Sequence, residues 1–329
     1  MKPLFLTLSA LLCIVAIERE PAQGAWDILK VESAWETWAA DSGISRAVLA
    51  ISYDGEIVDV VAIGAAKDAA FPLASLSKAI TAACVQHIIS SGDLFEKTTV
   101  EQILGAEFTL SHAAKTITVG QLLTHTSGLA PDSTQTKMGG WISNEHSQHR
   151  AVSAEALSRA EQDGRPGKYF YSNENYAILA AIIEAVTRQS YERYCLTAVL
   201  VPAGITSARV SGRYAAFSGW GGWEASAGDF AKFVNAYFGK GSDYGERPDR
   251  FENAGLGGTT RYGLGTFYRE SGSGYDFWHF GTICSDRGNT GSFFGKWQGK
   301  WSAVTMYDAC LDMAQKEALV SVLSGGDKS

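Results

Sequence analysis

Apolar side chains at Ile28, Val31, Trp35 and Trp38 recur every three or four residues, which puts them on one face of a helix running from Trp26 to Asp41. The pattern then changes to two short β-rich runs, Ala47 to Tyr53 and Ile57 to Ile63. Asp54-Gly55 between them is a hairpin signal, because both residues tolerate positive φ. From Ser75 to Phe238 helical spacing dominates, at Lys78 to Ser91, Ala151 to Asp163, Asn175 to Arg188, Tyr191 to Val199 and Gly228 to Phe238. Strand patterns return at Tyr262 to Tyr268, Asp276 to Gly281, Gly291 to Trp297 and Trp301 to Tyr307, and a helical run from Asp308 to Leu323 closes the chain.

Strands at both ends with helices between them predict an α+β fold: one antiparallel sheet flanked by helices, with a mostly helical region inserted. The sheet region is expected to span residues 25–70 and 259–329 and the helical region 71–258, with a cleft between them. Pro131 to Arg150 and Gly239 to Gly258, rich in glycine and polar residues, are expected as the mobile loops.

The first residues change this picture at one end. Lys2 precedes an apolar run from Leu4 to Ile17, and Ala22-Gln23-Gly24 follows as a small-residue site, the order of a secretory signal peptide. Residues 1–24 are therefore read as a signal cleaved before Ala25, leaving 25–329 as the mature domain, secreted or periplasmic, with no stable membrane insertion. Cys84, Cys195, Cys284 and Cys310 then remain in an oxidising compartment, where three pairings are possible. Cys284 and Cys310 both fall at one end of the C-terminal sheet and are expected to bridge. Cys84 sits in an apolar helical run and reads as an inert buried thiol. A formal charge of −7 without a Lys/Arg cluster argues against nucleic acid as a partner. His146 and His149 are the nearest approach to a metal pair, but they lack a third ligand, so no metal and no cofactor is expected.

Three segments carry candidate chemistry. Ser75-Leu76-Ser77-Lys78 opens an apolar helical run, and at that spacing Lys78 lies on the same face as Ser75, within reach of its oxygen. Tyr171-Ser172-Asn173 precedes another apolar helix. A neighbouring ammonium would stabilise a phenolate at Tyr171, and Asn173 would orient the lysine or hold a substrate amide. His279-Phe280-Gly281-Thr282 ends a strand-like run. There Gly281 allows a carbonyl to come close, and the Thr282 N–H would complete an oxyanion hole with that of Ser75.

In this order and spacing the three segments resemble the Ser-x-x-Lys, Tyr-x-Asn and His/Lys-x-Gly motifs of the serine β-lactamase and penicillin-binding-protein superfamily. The likeness is in particular to its class C branch, with the related esterases, D-aminopeptidases and DD-carboxypeptidases. Leu122-Leu123-Thr124-His125-Thr126-Ser127-Gly128-Leu129 and Tyr262-Gly263-Leu264-Gly265 look familiar as well, and the resemblance extends over nearly the whole mature chain. His125, which belongs to none of the three reactive motifs, is read as structural.

The resemblance implies a β-lactamase/transpeptidase-like fold and a covalent acyl-enzyme formed on Ser75, with Lys78 and Tyr171 moving its proton. The implied substrate is a small ester, amide or peptide. A β-lactamase or D-amino-acid peptidase is the alternative within that chemistry, and a catalytically silent scaffold or ligand-binding protein the alternative outside it. His279-Phe280-Gly281 departs from the Lys-Thr-Gly of class C β-lactamases. Phe280 supplies no hydroxyl there, and whether its ring faces the cleft or simply displaces the polar group, it is expected to disfavour a substrate carboxylate.

Overall fold

The structure, a computed structural model, describes residues 27–159, 164–210, 212–272, 274–297 and 300–325. The signal segment 1–24 and its cleavage point lie outside the described residues. The first helix, α1 (Ile28–Asp41), is capped by Asp27, whose carboxylate accepts from the Lys30 N–H. It buries Val31, Trp35 and Trp38, the stripe its spacing predicts.

Strands β1 (Ala47–Tyr53) and β2 (Glu56–Ile63) form a hairpin in which Asp54 and Gly55 take φ 49° and 89°. Next come β3 (Ala70–Pro72), α2 (Ser77–Ser91), α3 (His149–Ser158) and α4 (Asn173–Thr187). Strands β4 (Arg209–Val210) and β5 (Trp223–Ser226) precede α5 (Ala227–Phe238). The chain returns to the sheet through β6 (Ala254–Gly257), β7 (Thr260–Gly263), β8 (Thr266–Ser271), β9 (Gly274–Ile283), β10 (Thr290–Trp297) and β11 (Trp301–Tyr307), and ends on α6 (Met313–Leu323).

The main sheet has the order β2-β1-β11-β10-β9-β8-β7-β6, every neighbour antiparallel, so the N-terminal hairpin pairs with the last strand of the chain. One face is covered by α1 and α6. There Trp35 donates to Thr305, Trp38 donates to the Gln315 carbonyl, and Trp278, Phe280, Phe293 and Trp297 fill the space beneath. The other face packs Val48, Phe294, Val304 and Met306 against α2, α4 and α5. Helix α4 is buried almost throughout, and it forms the centre of the helical region rather than an amphipathic edge.

Three expectations are corrected. The run Tyr262 to Tyr268 is not one strand but the hairpin β7–β8, broken at Leu264-Gly265, where Leu264 takes φ 56°. The stretch 239–258 contains β6, so the sheet begins before residue 259, and Pro131 to Arg150 is anchored by buried Asp132, Thr134 and Ile142. Cys84 is not a free thiol. It bridges Cys195, joining α2 to the short helix Tyr191–Cys195, while Cys284 and Cys310 form the second disulfide.

Candidate active site

Ser75 sits in a single 3-10 turn, Ala74–Leu76, that runs into α2 at Ser77. Ala74 has φ 47°, a left-handed conformation that a residue with a Cβ holds at a cost of about 1–3 kcal/mol. Strand β9 braces this turn from outside. A Cβ added to Gly281 would lie 2.4 Å from the Leu73 carbonyl oxygen and 3.0 Å from the Ser75 nitrogen, so only glycine lets the strand approach so closely. Ser292, paired with Gly281 across β9 and β10, donates its hydroxyl to the same Leu73 carbonyl at 2.7 Å.

One helical turn on from Ser75, the Lys78 side chain is fully buried. Its Nζ lies 3.3 Å from Ser75 Oγ, 2.8 Å from Asn173 Oδ1 and 2.9 Å from the Trp220 carbonyl oxygen. Burial lowers its pKa to about 7, with Asp132 opposing the shift. The Asn173 and Trp220 oxygens can only accept. A neutral Lys78 therefore donates both hydrogens to them and turns its lone pair toward the Ser75 hydroxyl.

Helix α4 supplies the opposite wall. Ser172 caps it by accepting from the Glu174 N–H, which sets Tyr171 just outside the helix and Asn173 at its first position. The Tyr171 ring centroid is 4.8 Å from the Lys78 amine, 4.4 Å from the His125 ring and 6.1 Å from the His279 ring. His279 Nδ1 is 2.6 Å from the Phe280 carbonyl, which can only accept, so that nitrogen carries the hydrogen and Nε2 is an acceptor. His125 has the opposite tautomer: Nδ1 accepts from the Ser172 N–H and from Asn175 Nδ2, leaving the hydrogen on Nε2. Both Nε2 atoms are buried without a hydrogen-bond partner among the described residues. Burial and the nearby Lys78 push both imidazoles down, His279 to about 3 and His125 well below the usual range, so both are neutral at neutral pH.

The structure thus brings Ser75, Lys78, Tyr171, Asn173, His279 and Gly281 to one place, with Thr282 half-buried at the next position of β9. Phe280 is the exception. Neighbours on a strand face opposite ways, and its ring points to the rear face, 4.4 Å from the Phe293 ring and 5.7 Å from the Lys316 amine. It lines no part of the cleft. His149 is engaged elsewhere, with Glu184 at 3.0 Å and Ser218 at 2.9 Å. Sequence reasoning missed Asp132 and Thr134, which bond the Asn173 N–H and side-chain amide, and the Trp220 carbonyl. His125, read from the sequence as structural, holds the start of α4 by accepting from the Ser172 N–H and the Asn175 amide.

Comparison with known proteins adds an independent finding. A family model described as Beta-lactamase matches residues 30–310. Penicillin-binding protein 4 of Amycolatopsis lactamdurans is 29% identical over 172 residues, covering 49% of this chain and 44% of that protein. Penicillin-binding protein 4* of Bacillus subtilis is 33% identical over 149 residues, 44% of this chain and 31% of that protein. The matches thus span less than half the length of these relatives. Among solved structures, the D-stereospecific amidohydrolase from Streptomyces sp. superposes with a TM-score of 0.75 at 19% identity, over 90% of this chain and 98% of that one. At that identity the likeness speaks for the fold.

Proposed function

This chain belongs to the beta-lactamase family, and on that premise we propose that it is a serine hydrolase acting through a covalent acyl-enzyme on a small ester or amide. The observation that carries the reading is the setting of Lys78: a buried amine with a pKa near 7, held by two carbonyl oxygens, with its third direction on Ser75 Oγ. In the first step Ser75 Oγ bonds to the substrate carbonyl carbon as its proton passes to Lys78. The carbonyl π electrons move to oxygen, where the N–H groups of Ser75 and Thr282 receive the charge. Collapse of that intermediate breaks the bond to the alcohol or amine, which leaves with a proton delivered through Tyr171. Water then releases the acyl group by the reverse proton path, and the free acid departs.

His279 bears on substrate choice. As a neutral imidazole it offers no cation to a substrate carboxylate. The missing charge-assisted hydrogen bond is worth about 1.5–3 kcal/mol, roughly ten- to hundred-fold in rate or binding. Neutral esters and amides are therefore favoured over β-lactams. This replaces the role first expected of Phe280. Two disulfides favour an exported, oxidising location, and no helix among the described residues is long and apolar enough to cross a membrane.

A fluorophosphonate probe should label the protein, and Ser75→Ala should abolish the labelling. Lys78→Ala and Tyr171→Phe should each lower kcat/KM on the best substrate from a panel of esters, D-amino-acid anilides and a cephalosporin by about a hundred-fold or more. Absence of labelling in the unmodified protein would leave the silent-scaffold alternative standing.

A further inference from the structure

Which end of the Asn173 amide faces Lys78 decides where the lysine lone pair points, and groups one layer further out fix that orientation. Asp132 is buried, and as a carboxylate it only accepts. Its Oδ2 takes the Asn173 N–H at 2.9 Å and the Gln135 side-chain amide at 3.0 Å. Its Oδ1 takes the Thr134 N–H at 3.0 Å and the Thr134 hydroxyl at 2.7 Å. With that hydrogen committed, Thr134 Oγ1 has only lone pairs to offer Asn173, so it must meet the amide nitrogen, which lies 3.0 Å away. Met138 Sδ, a second acceptor, is 3.6 Å from the same nitrogen. Asn173 Oδ1 is left for Lys78.

We propose that Thr134, anchored by Asp132, is the positioning residue that keeps the Asn173 oxygen toward Lys78 and so leaves the amine's lone pair for Ser75. The inference rests on the reading of Lys78 as the base for Ser75. Were the amide reversed, its NH2 would donate to the lysine lone pair and confront the ammonium with another donor. Base strength at Ser75 would fall, and the neutral amine would be favoured. The ionisable groups facing the amine are Asp132, His125, His279, Tyr171 and Tyr176. Thr134→Val also withdraws a donor from Asp132, and Gln135→Ala, which withdraws another donor from the same carboxylate and leaves Thr134 in place, is the control that should not move the Lys78 midpoint.

The test compares Thr134→Val, close in shape but without the hydroxyl, with Thr134→Ser, which restores it. Lysine Cε chemical shifts, with Lys78 assigned by its substitution, give the titration midpoint without requiring turnover. A lower midpoint in Thr134→Val, recovered in Thr134→Ser, is expected, together with a kcat/KM loss of about ten- to hundred-fold and an acidic limb moved to lower pH. An unchanged midpoint in a folded Thr134→Val protein overturns the proposal, whatever the activity. If valine prevents folding, Thr134→Ala is read by the same criterion. A shifted midpoint in a protein whose Ser75 is never labelled would uphold the positioning role and reject the hydrolase reading instead.

Discussion

The burial that suits Lys78 to the proposed role of base works against stability. A buried amine with a pKa near 7 holds its proton less tightly in the folded chain than in the unfolded one, where the ordinary value is about 10.4. Between pH 7 and 10 the unfolded state binds more protons, so raising the pH through that interval stabilises the native protein, by at most about 1.4 kcal/mol per pH unit from this group. Lys78→Met has no such proton, and Lys296, lowered to about 8 by burial, is common to both proteins. Denaturant melts at pH 7, 8.5 and 10 should show the unmodified protein gaining on Lys78→Met; parallel curves would mean that the amine is not depressed. Phe280 supplies a contrasting case. Its ring packs on Phe293 behind the sheet, so Phe280→Thr should destabilise the protein by about 3 kcal/mol in the same melts, through the cavity it leaves. The ester-to-cephalosporin ratio should stay as it was, and a clear gain for the cephalosporin would put position 280 back in substrate recognition.

At the level of elements, the site is a junction of a turn, two helix starts and one strand, and glycine closes the join. An alanine at position 281 would bring its Cβ 2.4 Å from the Leu73 carbonyl oxygen and 2.3 Å from Ser292 Oγ. The hydroxyl can swing aside, but the backbone carbonyl cannot. Strand β9 must therefore retreat from Ser75 and carry the Thr282 N–H with it. Gly281→Ala is expected to lower kcat by about a hundred-fold while the protein still folds, the scale of losing one oxyanion donor; activity near the unmodified level would show that Thr282 does not stabilise the oxyanion. Much of this junction was legible in the sequence. Ser75 and Lys78 sit three residues apart at a helix start, Tyr171 and Asn173 precede a helix, and His279 and Gly281 share one strand face. Alternation along β9 also makes the rearward turn of Phe280 legible, since a cleft-facing His279 sends its neighbour the other way. The support that Asp132 and Thr134 give Asn173, the contact of the Trp220 carbonyl with Lys78 and the Cys84–Cys195 bridge were not legible, because each joins segments that only tertiary packing brings together. The β7–β8 hairpin was hidden for a local reason: Leu264 takes φ 56° without the usual turn chemistry, which left Gly265, at φ 74°, as the turn signal at the break.

Across the whole molecule, the sheet and the helical region are joined through a buried aromatic cluster that holds two neutral imidazoles. His125 meets Tyr171, Tyr176 and Tyr262 at 4.4, 5.1 and 4.9 Å, and His279 meets Phe267 at 5.3 Å, so helical-region residues and sheet strands share one interior. Acid should loosen that joint. Both imidazoles titrate below their ordinary value of about 6.5, so as the pH falls the unfolded chain takes up protons that the folded chain refuses. Stability from these groups is therefore level above pH 6.5 and falls below it, continuing toward pH 3 for His279, at about 1.4 kcal/mol per pH unit for each histidine. Carboxylates add their own acid dependence, which a comparison of variants removes. His279→Asn should keep an amide donor near the Phe280 carbonyl but have nothing to protonate. Denaturant melts at pH 7, 5.5 and 4.5 should then show this variant losing stability more slowly than the unmodified protein, the gap closing or reversing by about 1.4 kcal/mol per pH unit. Two parallel curves over that range would show that His279 accepts its proton in the folded state as readily as in the unfolded one, and the proposed preference for neutral substrates would have to be abandoned with it.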